Sequence, residues 1–150
     1  MCKGCCLGLI KFGTFLQPFF LVLIRVFWGI LLLQTGLGKF YNLESVAAFF
    51  TSLHIPLPLV CAYLVAFIET VGGLFIVIGL IARFVSIFIT IVMITALFTA
   101  HLPAIQVLFI NPLIFSTQAP VPFLMMSLII LCFGPGLFSL DALIERKNQP

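Results

Sequence analysis

Four long apolar windows, near residues 18–38, 59–80, 84–101 and 121–138, leave this chain few ways to fold. Each is close to the roughly 20 residues with which a helix crosses a bilayer. None shows the apolar–polar alternation of a transmembrane strand, so a β-barrel is excluded. Of the 150 residues, 63% are hydrophobic and 7% charged, against about half and a quarter in soluble domains. The expectation is one all-α domain over residues 1–150, a polytopic membrane four-helix bundle with a short interfacial helix in its first outer loop.

Charge sets the orientation. Lys3 and Lys11 precede the first window, Arg83 sits between the second and third, and Arg146 and Lys147 follow the fourth. Lys39 is alone on the other side, so the positive-inside rule predicts that both termini are cytoplasmic. In a bacterial host the membrane is then the inner one. Basic residues placed this way report topology rather than nucleic-acid binding. Arg83 is read as such a topology marker. Residues 1–17 are expected to be a short lead along the membrane surface, with Leu7, Ile10, Phe12 and Phe15 toward lipid and Pro18 opening the first span. The first window is too long for a signal peptide. Cys2, Cys5, Cys6, Cys61 and Cys132 do not suggest a disulfide framework, because three lie on the reducing side and two within the membrane.

Inside the second window Glu69 stands alone among thirteen Leu, Ile, Val and Phe residues. A carboxylate near mid-bilayer costs on the order of 3 kcal/mol, and each of those neighbours returns about 0.3–0.6. The span still inserts, and the charge needs a partner. Arg25 lies about 4.5 Å from the midpoint of the first window at 1.5 Å per residue, which predicts an Arg25–Glu69 pair. On the third span Ser86, Thr90, Met93, Leu97 and His101 share one stripe, whose hydroxyls would serve Arg25 and Glu69. Gly29, Gly36, Gly72, Gly73 and Gly79 are the small residues expected at close helix contacts.

Local signals mark the connections. Asn42 opens a helix that runs to about Leu53, and Pro56 and Pro58 lead into the second span. Pro103, Pro112 and Pro120 argue for an irregular segment rather than a fifth span. Gly134, Pro135 and Gly136 stop the fourth span, after which Ser139 can cap a terminal helix that begins with Asp141 and Ala142.

An arginine early in the first span, the GLGKFYN exit, the ETVGGLFIVIGLIAR block and the GPGLFSLDAL ending together resemble the DoxX family, over about residues 20–145. That resemblance implies a four-helix membrane protein, the family being named after a subunit associated with terminal quinol oxidase and thiosulfate:quinone oxidoreductase activity. Fold alone does not carry function across.

Arg25, Glu69, Lys39 and His101 are therefore the candidate ligand-binding or ion-pair residues. Intramembrane ionisable groups mark pathways and sites, although an ion pair can also serve only to fix helix register. Lys39 can alternatively snorkel. His101, whose charge changes near neutral pH, could relay protons or bond a quinone carbonyl. The two histidines and the absence of C-x-x-C-H give no haem site, and no metal site is expected. The expected function is a subunit of a quinone-linked redox system, not autonomous, with quinone as a non-covalent ligand, a membrane redox partner and a homodimer as candidate assemblies. The alternative is a chaperone, scaffold or assembly factor. A transporter is disfavoured, since no inverted repeat or broken helix pair is visible.

Overall fold

The computed structural model describes residues 2–136 and 138–147, without the side chains of residues 2–9, 145 and 146. The expectations on the side chains of Cys2, Lys3, Cys5, Cys6, Leu7 and Arg146 lie outside these. The described chain is all-helical: α1 Cys2–Tyr41, α2 Leu43–Ser52, α3 Pro58–Ile78, α4 Ala82–Ala100, α5 Leu102–Gln106, α6 Pro112–Ser116, α7 Pro120–Phe133 and α8 Leu140–Lys147. Three of these, α1, α3 and α4, are long and apolar enough to cross a membrane.

Two boundaries differ from expectation. Pro18 does not open a span but lies inside α1, so residues read as a separate lead continue the same helix. A proline removes one backbone donor from a helix interior, and helices in lipid tolerate this where neighbours re-satisfy the freed groups. The apolar window 121–138 is helical only as far as Phe133, at the expected Gly134–Gly136 stop, so α7 has 14 residues, about 21 Å at 1.5 Å per residue, short of a hydrocarbon core of about 30 Å. Gly134, at φ +78°, ends it while donating its N–H to the Ile130 carbonyl at 2.8 Å. The segment between α4 and α7, expected to be irregular rather than a fifth span, contains two single-turn helices with prolines in their first turns.

The helices pack in pairs, α1 on α3 and α4 on α7, joined by contacts of α3 with α4 and of α1 with α7, while α2 lies on α3. Leu32, Ile76, Ile89, Met93, Phe123, Met126 and Ile130 fill the centre. Trp28 meets Phe123 edge to face at 5.8 Å between ring centroids. Phe27, Phe67, Phe84 and Phe98 face outward, whereas Arg25, Glu69, Ser86, Ser127 and Ser139 are buried. Apolar side chains outside and polar ones within suit a molecule whose solvent is lipid.

Glycine brings α1 and α3 together. A Cβ at Gly73 would lie 2.6 Å from the Leu33 amide nitrogen, and one at Gly29 would lie 3.2 Å from the Gly73 carbonyl oxygen. A Cβ at Gly36 would lie 2.9 Å from the Glu69 carbonyl carbon. Gly72 faces α4 instead, against Ile89 and Val85. Gly79 lies at a close contact too, against the Arg25 guanidinium of α1, and is in addition the left-handed cap of α3 at φ +75°, with its N–H bonded to the Phe75 carbonyl. Glycine takes that conformation without steric penalty.

The turn after Gly79 is held by the far end of the chain. Ile81 sits at φ +48°, strained for a β-branched residue. The Ile81 and Ala82 amides donate to the two carboxylate oxygens of Asp141 at 2.7 and 3.0 Å, and the Asp141 amide donates to the Gly79 carbonyl at 3.1 Å. Ser139 caps α8 as expected, accepting from the Ala142 amide at 3.1 Å. Asp141, read from sequence as a residue of α8 alone, thus also caps α4. Replacing Asp141 with Ala is expected to cost about 1 kcal/mol, the usual loss for an N-cap. Hydrogen exchange should show the Ile81 and Ala82 amides losing protection first. Unchanged exchange there would contradict the cap.

Candidate functional site

The expected Arg25–Glu69 pair does not form. Register decides the matter: α1 and α3 pack antiparallel with Gly29 beside Gly73 and Gly36 beside Thr70. This alignment sets Arg25 level with Gly79 at the end of α3, ten residues beyond Glu69. At 1.5 Å per residue that is about 15 Å along the axis. The two apolar windows do not share a midpoint in depth, because α1 runs on to Tyr41 and α2 intervenes before α3 begins.

Each buried charge finds another partner. Arg25, 3% exposed, donates from Nη1 to the Pro135 carbonyl at 2.7 Å and from Nη2 to the Phe138 carbonyl at 2.8 Å. It thereby ties α1 to the segment linking α7 and α8. Its Nε is buried without a partner among the described residues. The bare Cα of Gly79 makes room for it, since a Cβ there would overlap the guanidinium. The arginine therefore serves the helix-end connection, and takes no part in a site with Glu69.

Glu69 pairs with Lys39. Lys39 lies three residues beyond Gly36 near the end of α1, and helical side chains lean toward their own N-terminus, which brings its ammonium back to the level of Glu69. The carboxylate is almost fully buried, and the lysine side chain is 29% exposed. Only one carboxylate oxygen, Oε2, is bonded among the described residues, leaving Oε1 free to accept. Snorkelling to the surface is not what Lys39 does.

The pair opens onto a cavity of about 640 Å³. Thr35 and Lys39 of α1, Val46 and Phe50 of α2, Val65 and Glu69 of α3, Ala96 of α4 and Phe123 of α7 are among its walls. Lys39 and Glu69 are the charged side chains lining it, and His101, half-buried where α4 meets α5, lines it too. Such a space, apolar with a few convergent polar groups, is the usual form of a small-molecule site. Of the four sequence candidates, three line this one cavity and Arg25 does not.

The predicted stripe of α4 does face inward: Ser86, Met93 and Leu97 are buried. Its hydroxyls, however, do not reach Arg25 or Glu69. Ser86 bonds the Ala82 carbonyl at 2.8 Å, and Thr90 bonds the Ser86 carbonyl at 2.7 Å and the Ser127 hydroxyl at 2.9 Å. The Thr90–Ser127 bond joins α4 to α7, whose Ser127 was not singled out in the sequence. The contribution of α2 to the cavity was also missed, although the spacing of Val46, Phe50 and Leu53 already marked an apolar face.

The DoxX family model matches residues 20–102, more than half of the chain. The chain belongs to the DoxX family. The DoxX match runs from within α1 to the start of α5, and so contains Arg25, Lys39, Glu69 and His101. A curated relative from Bacillus subtilis (strain 168), named "Putative oxidoreductase CatD", is 39% identical over 83 residues, which is 55% of this chain and 60% of the relative. The chain thus spans less than two thirds of that relative's length. No solved structure matches it. DoxX membership and the three long apolar helices together make this an integral membrane protein.

Proposed function

We propose that this DoxX protein binds a quinone, or a similar lipid-soluble molecule with a polar head, in the Lys39–Glu69 cavity, as the membrane subunit of a redox system in a bacterial inner membrane. The observation that carries the reading is a paired lysine and glutamate on the wall of a mostly apolar 640 Å³ space. The relative whose name is "Putative oxidoreductase CatD" supports it. A quinone would supply two-electron, two-proton redox chemistry, with electrons exchanged through a partner protein. The Lys39 ammonium can donate to a carbonyl or phenolate oxygen, and the unbonded Glu69 Oε1 can accept from a hydroxyl. His101 can donate or accept a hydrogen bond at the same wall, and the phenylalanines can cover an isoprenoid tail.

The test is the quinone content of protein purified in native lipid, followed by titration of delipidated protein with a menaquinone or ubiquinone analogue. The double variant Lys39→Met/Glu69→Gln, which leaves no unpaired charge, is expected to keep its fold and bind at least about tenfold more weakly, the loss of one hydrogen bond to a charged group. Equal binding by wild type and variant would overturn the site. Retention of a defined membrane protein with no quinone would instead favour a scaffold or assembly role.

A further inference from the structure

The opposite end of the molecule holds a second cavity, of about 890 Å³, that the quinone reading does not use. Thr14, Gln17, Pro18 and Leu21, spread over two turns along one side of α1, form one wall. The α3–α4 turn with Arg83 and Phe84, and the stretch from Phe133 to Ala142, supply the others. Residues that read from sequence as a separate lead are thus part of this wall.

Most polar groups in this cavity are already engaged. Asp141 accepts from the Ile81 and Ala82 amides, the Ser139 hydroxyl bonds the Gly136 carbonyl and the Ala142 amide, and the Thr14 hydroxyl bonds the Ile10 carbonyl. Arg83 and Gln17 make no side-chain hydrogen bond or ion pair among the described residues. The Arg83 guanidinium lies against Gly134, where a Cβ would come within 3.0 Å of Nη2 and 3.1 Å of Nε. A Cβ at Gly134 would crowd this fork of donors, which is exposed and lines the cavity. The remaining walls, Leu21, Phe84, Phe133 and Ile144, are apolar.

We propose that this cavity binds the phosphate headgroup of an anionic phospholipid, held by Arg83 and Gln17, with an acyl chain along Phe84 and Phe133. An arginine fork suits phosphate oxygens, and basic pockets between membrane helices are a known form of lipid headgroup site. The apolar walls favour a lipid over free phosphate, which would leave them uncovered. Among the described side chains, Lys11 and Arg25 lie three and four residues along α1 from the cavity wall, and Asp141 is the carboxylate that lines the cavity.

The test is native mass spectrometry of the delipidated full-length chain, titrated with phosphatidylglycerol, with phosphatidylcholine of the same chains, and with inorganic phosphate alone. The wild type is expected to prefer phosphatidylglycerol, and Arg83→Gln to lose that preference with about tenfold weaker binding, as for one charge-assisted hydrogen bond. Arg83→Lys should recover part of it. Should Arg83→Gln fail to fold, Gln17→Glu, at an exposed position of α1, carries the test by placing a repelling carboxylate beside the headgroup. Phosphatidylglycerol binding unchanged in the folded variants, or equal affinity for both lipids, would overturn the proposal. So would full competition by inorganic phosphate, which would mark a free-anion site.

Discussion

Lys39→Ala is expected to destabilise the protein by about 3 kcal/mol at neutral pH. The carboxylate of Glu69 is buried and Lys39 is its ion-pair partner, and removing one member of a buried pair leaves an uncompensated charge, typically worth 3–5 kcal/mol. The lower end applies because the lysine is part exposed. The measurement is a denaturation series in bicelles on the two single variants and Lys39→Met/Glu69→Gln. The double variant should return to within about 1 kcal/mol of wild type, because replacing both charges removes the penalty along with the attraction. If Lys39→Ala and the double variant were equally unstable, the lysine would be acting through something other than Glu69.

Gly73→Val should have an effect at least as large, by a different route. The first atom of any side chain at 73 meets main chain: the Leu33 nitrogen at 2.6 Å, the Gly29 carbonyl oxygen at 2.8 Å and the Leu33 Cα at 3.0 Å. Backbone cannot rotate away as a side chain would, so α1 and α3 must separate. Overpacking of this kind costs about 1–3 kcal/mol where neighbours can give, and more where they cannot. Separation also moves Lys39 from Glu69, so the loss should exceed 3 kcal/mol, with the pair's contribution included. Gly38→Ala is the control: nothing lies within 4 Å of a Cβ there, and alanine should match or slightly exceed glycine in a helix. Equal stability of the Gly73 and Gly38 variants would mean that α1 and α3 do not pack as described.

Both results bear on how the cavity is built. The Gly29–Gly73 and Gly36–Thr70 contacts set the register, the register brings Lys39 to Glu69, and the pair gives an apolar space its polar groups. A shift of one helical turn between α1 and α3 would leave Glu69 facing Thr35 rather than an ammonium. Close packing by small residues is how membrane helices associate when lipid supplies no hydrophobic force between them. The functional proposal therefore depends on positions that never touch a ligand.

Much of the local structure was legible because it is written locally. Continuous apolar runs, the prolines in the first turns of α3, α5, α6 and α7, the Gly134–Gly136 stop and the Ser139 cap act within a few residues of themselves. The inward face of α4 was equally readable, since Ser86, Met93 and Leu97 return to one side at helical spacing. That Glu69 needed a partner also followed from the sequence, because an isolated carboxylate in hydrocarbon is costly wherever it lies.

What the sequence determined by itself was therefore an all-helical membrane chain with a buried charge in α3 that had to be compensated. The tertiary structure alone decided that the compensating residue is Lys39, that Arg25 binds the Pro135 and Phe138 carbonyls, and that Asp141 caps a helix sixty residues away. The reason is geometric: hydropathy reports which segments enter lipid, whereas the relative slide of two helices is set by which glycines meet and by the length of the chain between them.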